Sequence, residues 1–121
     1  MGKYVIKQGK TGPYFVLKAA NGEPIGKSEV YSSETAAKNG IESVKKNAAV
    51  AQVEDQTVEG WKNMTNPVFE LYKDKAGEFR FRLRAKNGEP ILASEGYSAK
   101  ASAIGGIESV KKNADSEVVD E

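Results

Sequence analysis

The chain has 121 residues, a formal net charge of +1, and neither Cys nor His. Near-neutrality gives no overall pull toward nucleic acid or anionic membrane. The missing residue types exclude Cys- or His-ligated zinc, haem held by His or Cys, thiol nucleophiles and any triad with imidazole as base.

Tyr4-Val5-Ile6-Lys7 reads as a short strand with Tyr4 and Ile6 on one face. Charge interrupts this N-terminus too early for a signal peptide, and no apolar run approaches membrane length. A chain without Cys needs no oxidising compartment, so a cytoplasmic location with no membrane association is expected. Gly9, Gly12 and Pro13 mark a turn. In the second strand, 14–19, Phe15, Leu17 and Ala19 alternate against Tyr14, Val16 and Lys18. Asn21-Gly22 predicts a type I′ hairpin, and Pro24 opens a third strand over 25–29. Ser32 is the expected cap of a helix with Glu34 in its first turn. Ala37, Ile41, Val44 and Ala48 form its buried face, and Gly40 on that face permits close approach to the sheet. Glu42 reaches Lys45 or Lys46, and Asn47 suits a left-handed C-cap. A short fourth strand follows at 51–54.

Residues 57–66 form a connector that holds the one Trp, Trp61. Beyond it the plan repeats. Gly-Ile-Glu-Ser-Val-Lys-Lys-Asn-Ala occurs at 40–48 and 106–114, and Asn-Gly-Glu-Pro-Ile at 21–25 and 87–91. The offsets agree, since 106 − 40 = 66 and 87 − 21 = 66. A shared offset marks a tandem duplication of a whole unit. Phe69 and Leu71 match Tyr4 and Ile6 at 65, so the first unit lacks one residue before its second strand. Phe81, Leu83 and Ala85 point inward, and Asn87-Gly88 is the hairpin. Ser98 caps a helix on Ala103, Ile107, Val110 and Ala114, in which Gly105-Gly106 doubles the small position. Val118-Val119 is the last strand. The repeats are therefore 1–56 and 67–121. Each is strand, strand, strand, helix, strand, and the two share one core because a unit this small is marginal alone. The fold class is α+β, one pseudo-twofold antiparallel sheet with the two helices packed on it.

Asn-Gly-Glu-Pro-Ile, then Ser-Glu-x-Tyr-Ser at 28–32 and 94–98, then Gly-Ile-Glu-Ser-Val-Lys-Lys-Asn, resemble the YegP-like family of small, mostly bacterial proteins. The resemblance covers both repeats. It implies a single sheet in which the last strand of each repeat is exchanged into the other half. It brings no activity, cofactor or catalytic residue.

Arg80, Arg82 and Arg84 alternate along one strand, opposite the core side chains. Arginines about 7 Å apart match a phosphate backbone, and Tyr14 on the open sheet could stack bases. The plainer and favoured reading is a solvated sheet face on which acids such as Glu70 pair with them. Lys45-Lys46 and Lys111-Lys112 suit helix C-termini. Glu42 and Glu108 sit beside lysines rather than where a carboxyl becomes a general acid, and Ser43 and Ser109 have no base. Tyr31 and Tyr97 suit the edge of the core. Trp61 either packs on the domain, which is favoured, or meets a partner. The sequence thus predicts a non-enzymatic interaction module, a monomeric pseudo-dimer with no cofactor and no metal, meeting an unknown macromolecule, protein or else nucleic acid, through its open face or Trp61.

Overall fold

The computed structural model describes residues 2–119. Among them seven strands form one sheet, β1 Lys3–Gln8, β2 Pro13–Lys18, β3 Pro24–Lys27, β4 Gln52–Asp55, β5 Val68–Lys73, β6 Phe79–Arg84 and β7 Pro90–Ala93. Two helices, α1 Glu34–Ala48 and α2 Lys100–Asn113, cover one face of it. The spatial order is β1-β2-β3-β7-β6-β5-β4. The repeats meet at a β3–β7 seam held by one register pair, Lys27 with Ala93. Those positions are equivalent, as 93 − 27 = 66, so the pseudo-twofold passes between them.

The exchange implied by the family resemblance is present at both ends. β4, from the first repeat, pairs with β5 of the second, and the pairing is parallel, whereas every other strand pair is antiparallel. At the other edge Val118 forms a parallel bridge with Tyr4. Tyr4 N–H donates to Glu117 O at 2.9 Å, and Val119 N–H to Tyr4 O at 2.9 Å. The last strand of the second repeat is thus reduced to a bridge within the described residues. Val53 with Phe69 and Val118 with Tyr4 are the same pairing, offset by 65.

Helical periodicity translates directly into burial. Ala37, Gly40, Ile41, Val44 and Ala48 are buried in α1, and Ala103, Gly106, Ile107 and Val110 in α2. They close on Tyr4, Phe15, Leu17, Phe69, Leu71, Phe81 and Leu83, all at 0% exposure. Each such side chain contributes roughly 1.5–3 kcal/mol by burial. Tyr31 stacks on Phe15 (centroids 6.1 Å apart, 13°) and Tyr97 on Phe81 (6.4 Å, 11°), which fills the core beneath Gly40 of α1 and Gly106 of α2.

Local chemistry differs from the sequence reading at four places. The cap of α1 is Ser33, whose Oγ accepts from Ala36 N at 3.1 Å; Ser32 lies one residue too early. Helix α2 has Ala99 at its N-cap position and no side-chain cap, so Ser98 does not serve. Asn47 is no left-handed cap, because its residue is helical and buried. Its Nδ2 donates to Ser43 O at 2.8 Å, and its Oδ1 accepts from Lys86 N of the second repeat at 3.2 Å. Asn113 likewise holds Gly2 N at 3.0 Å. Finally, the Asn-Gly hairpins are not type I′. Among the described residues only glycines have positive φ, so Gly22 and Gly88 carry the left-handed conformation and the asparagines do not. Gly22 N donates to Ala19 O and Ala19 N to Glu23 O, each at 2.9 Å, a type I turn closed by a glycine bulge. The same turn joins Asp74 to Glu78, whereas Gly9 to Gly12 closes one residue shorter. That accounts for the residue the first repeat lacks.

Candidate binding face

With the helices on one side, the other face of the sheet is free to meet solvent or a ligand. One register row crosses all seven strands on it: Val5, Val16, Lys27, Ala93, Arg82, Glu70 and Glu54. The row is covered at its ends and open in the middle. Val5, Val16, Glu70 and Glu54 are buried, while Lys27 and Ala93 are exposed.

The connector explains the covered end beside Glu54. After β4 it folds back so that Asn63 and Met64 lie near Glu54, Val68, Glu70 and Arg84. Met64 N–H donates to Glu54 Oε1 at 2.6 Å. Gln56 Nε2 donates to Glu54 Oε2 at 2.7 Å and to Glu70 Oε2 at 3.2 Å. The connector is a strap across the helix-free face. Trp61 on it keeps 42% of its surface exposed and Met64 41%.

The three arginines do share this face, and each is paired. Arg80 Nε donates to Asp74 Oδ2 at 2.6 Å, Arg82 Nε to Glu70 Oε1 at 2.5 Å and Arg84 Nε to the same Oε1 at 2.7 Å. Burial pushes the Glu70 carboxyl up, but the hydrogen bonds and charges of Arg82 and Arg84 outweigh it and hold the group below the usual carboxylate range. Asp74 is likewise low, through its bond to Arg80 and then the backbone of Glu78. Arg84 also donates to Gly88 O at 2.7 Å and lies under the strap. Two carboxylates, Glu70 on the neighbouring strand and Asp74 in the turn, thus offset two of the strip's three positive charges. Tyr14 stands at Arg80's equivalent position, since 80 − 14 = 66, beneath the Lys27 ammonium 4.8 Å from its ring centroid.

In the open middle, over the β3–β7 seam, lies a cavity of about 580 Å³. Gly26 and Leu92 border it, but they pair with Leu17 and Leu83 and so face the core: Leu92 is buried there, and a Cβ on Gly26 would come within 2.6 Å of it on that side. Val16 and Lys27 line the first-repeat side, and Arg80 and Arg82 the second. Tyr14 and Trp61 do not line it. Sequence reading singled out the arginines but missed Lys27, Ala93 and the cavity. The signal was available: a common offset of 66 sets Lys27 and Ala93 at one position of two symmetry-related strands.

The chain matches the family model of a domain of unknown function, DUF1508, at residues 10–55 and again at 74–121. A UPF0339 protein from the ptx operon 5′ region of Stutzerimonas stutzeri is 70% identical over 46 residues, 38% of this chain and 41% of that protein. This match therefore spans less than half of that relative's length. UPF0339 protein YegP of Yersinia pestis is 42% identical over 120 residues, 98% of this chain and 94% of that one. The solution NMR structure of the protein of unknown function yegP from E. coli superposes with a TM-score of 0.79 at 34% identity, covering 99% of this chain and 92% of the other. Two family matches in one chain, identity along the full length and a common fold carry one conclusion: the chain belongs to the DUF1508/UPF0339 family, of unknown function, in its tandem-repeat, YegP-like form.

Proposed function

We propose that the chain is a non-enzymatic binding module that works in the cytoplasm through the helix-free face of its sheet. The observation that carries this is the recess at the centre of that face. A cavity of about 580 Å³ falls within the size range of ligand sites, roughly 300–1,000 Å³. It also lies where two repeats meet, and interfaces between units are common places for such sites. The acids on the face support a binding role over general acid catalysis. A general acid needs a raised pKa, whereas Glu70 and Asp74 are held low by arginines. Ser43 and Ser109 are engaged by Asn47 and Asn113. The pairing of all three arginines with carboxylates speaks against a phosphate-backbone track, since such binding rests on cations free to displace counterions.

Amide chemical shifts of the full chain, followed while a library of small organic fragments is added, test this reading. Shifts gathered at Val16, Lys27, Arg82 and Ala93 are expected. Shifts confined to the helix side, at Lys38 and Glu108, or none anywhere, would overturn it. Titration with single- and double-stranded oligonucleotides should give no saturable binding at low salt. Saturable binding that weakens steeply with salt and disappears in the Arg80, Arg82, Arg84→Gln triple variant would instead favour nucleic acid.

A further inference from the structure

Resting on that reading, we propose that the cavity takes a small organic monoanion, an apolar body carrying one carboxylate or sulfonate. The acid group sits over Ala93 between Lys27 and Arg82. These three residues are consecutive in the register row, so Lys27 and Arg82 stand one strand away from Ala93 on either side. At about 4.8 Å between strands their backbones are roughly 10 Å apart, within reach of two long cationic side chains converging on one anion. The methyl of Ala93 leaves the space between them open.

The charge state of each neighbour selects the ligand's charge. Among the described residues Lys27 has a ring partner, Tyr14, and no ion pair. Arg82 spends Nε on Glu70 and rests over the Tyr72 ring at 4.9 Å, while its terminal nitrogens make no hydrogen bond with the described residues. A guanidinium has five N–H donors, and those two nitrogens are the pair that suits a planar carboxylate. Arg80 adds little, being bonded to Asp74 Oδ2 and 3.4 Å from Ser94 O. Glu29 and Glu95 also line the cavity and repel a second negative group. One uncompensated cation, a half-used guanidinium and two flanking carboxylates fit one negative charge and disfavour a polyphosphate. The apolar lining, Val16, Pro24 and Pro90, fits a hydrocarbon body.

The test uses full-length protein with two probes of nearly the same shape, the sulfonate 8-anilinonaphthalene-1-sulfonate and its uncharged parent 1-anilinonaphthalene. Both are followed by fluorescence and by amide shifts. The sulfonate is expected to bind about tenfold more tightly, with shifts at Lys27, Ala93 and Arg82, as one charge-assisted contact supplies. Lys27→Gln, at an exposed position, should remove most of that advantage, weakening the sulfonate far more than the neutral probe. Ala93→Trp should abolish both. If both probes bind equally, lose binding in Ala93→Trp and ignore Lys27→Gln, the monoanion assignment is overturned while the face remains a binding site. If neither probe moves the amides of Val16, Lys27 and Ala93, both the assignment and the binding-face reading fall.

Discussion

Gly105 and Gly106 are neighbours in α2 with opposite surroundings. A Cβ on Gly105 would meet nothing within 4 Å, whereas one on Gly106 would come within 2.7 Å of the Phe81 ring and of the Tyr97 hydroxyl. Gly40 repeats the second case, with the Tyr31 hydroxyl at 2.2 Å. The close approach expected at this helical position is therefore to an aromatic stack beneath the helix. Gly105→Ala should stabilise the protein by about 0.5–1 kcal/mol, the helix-propensity gain alone. Gly106→Ala should destabilise it by about 1–3 kcal/mol, because the fully buried Phe81 ring cannot withdraw and overpacking exceeds that gain. Urea unfolding of the two variants checks the signs. A stabilising Gly106→Ala would mean that the Tyr97 ring yields. The repeat offset already marked 106 rather than 105 as the equivalent of Gly40. What occupied the space could not be read, because Tyr97 is nine residues away in sequence and reaches its place only through the stack on Phe81.

At the scale of elements, alternation and helical spacing made the strands and both helix faces legible, since those patterns are burial itself. Less legible was whatever depends on contact across strands or on one hydrogen bond. Ser32 and Ser33 are both good caps by type, and it is the Ser33 hydroxyl that meets a free helix N–H, that of Ala36. Sequence marks 57–66 only as a connector, because nothing local identifies Glu54 as its anchor. Glu70 shows how the pairing of β5 with β6 determines the character of the candidate face. It is 8% exposed and serves Arg82 and Arg84 together. Glu70→Gln should lower stability by about 1–2 kcal/mol at pH 7, by depriving two guanidinium groups of their carboxylate. The sign with pH follows from linkage. The folded group is held below its ordinary 4.5, so the unfolded chain binds the extra proton in acid. The contribution is fully present above pH 4.5 and is lost as pH falls through the lower folded value. Urea unfolding at pH 7, 5 and 3 should show the gap between wild type and Glu70→Gln closing toward acid. A gap independent of pH would mean that packing, not charge, is what Glu70 supplies.

At the scale of the molecule, the twofold that creates the cavity also dictates how half of the protein should behave. In the intact chain β5 is completed by β4 from the other repeat, and Tyr4 by Val118. A fragment of residues 67–121 keeps β5, β6, β7 and α2 but leaves Phe69 without its partner Val53. Two copies can restore every lost pairing. Val118 of one would lie beside Phe69 of the other, which is the intact register moved by 65, and the seam would pair Ala93 with Ala93. The fragment is therefore expected to fold only as a homodimer, with a melting temperature that rises with concentration, while the intact chain sediments as a monomer. Sedimentation equilibrium and melts at several concentrations decide it, and a folded monomeric fragment would show that the exchanged strand is dispensable. The dimer also bears on the cavity. Its central row would carry Arg82, Ala93, Ala93 and Arg82, with no equivalent of Lys27. If binding of the sulfonate probe depends on Lys27, the homodimer should retain the recess but lose the preference for the anion over its neutral parent. The difference between Lys27 and Ala93 would then be what the second copy of the repeat was free to acquire once both halves lay in one chain.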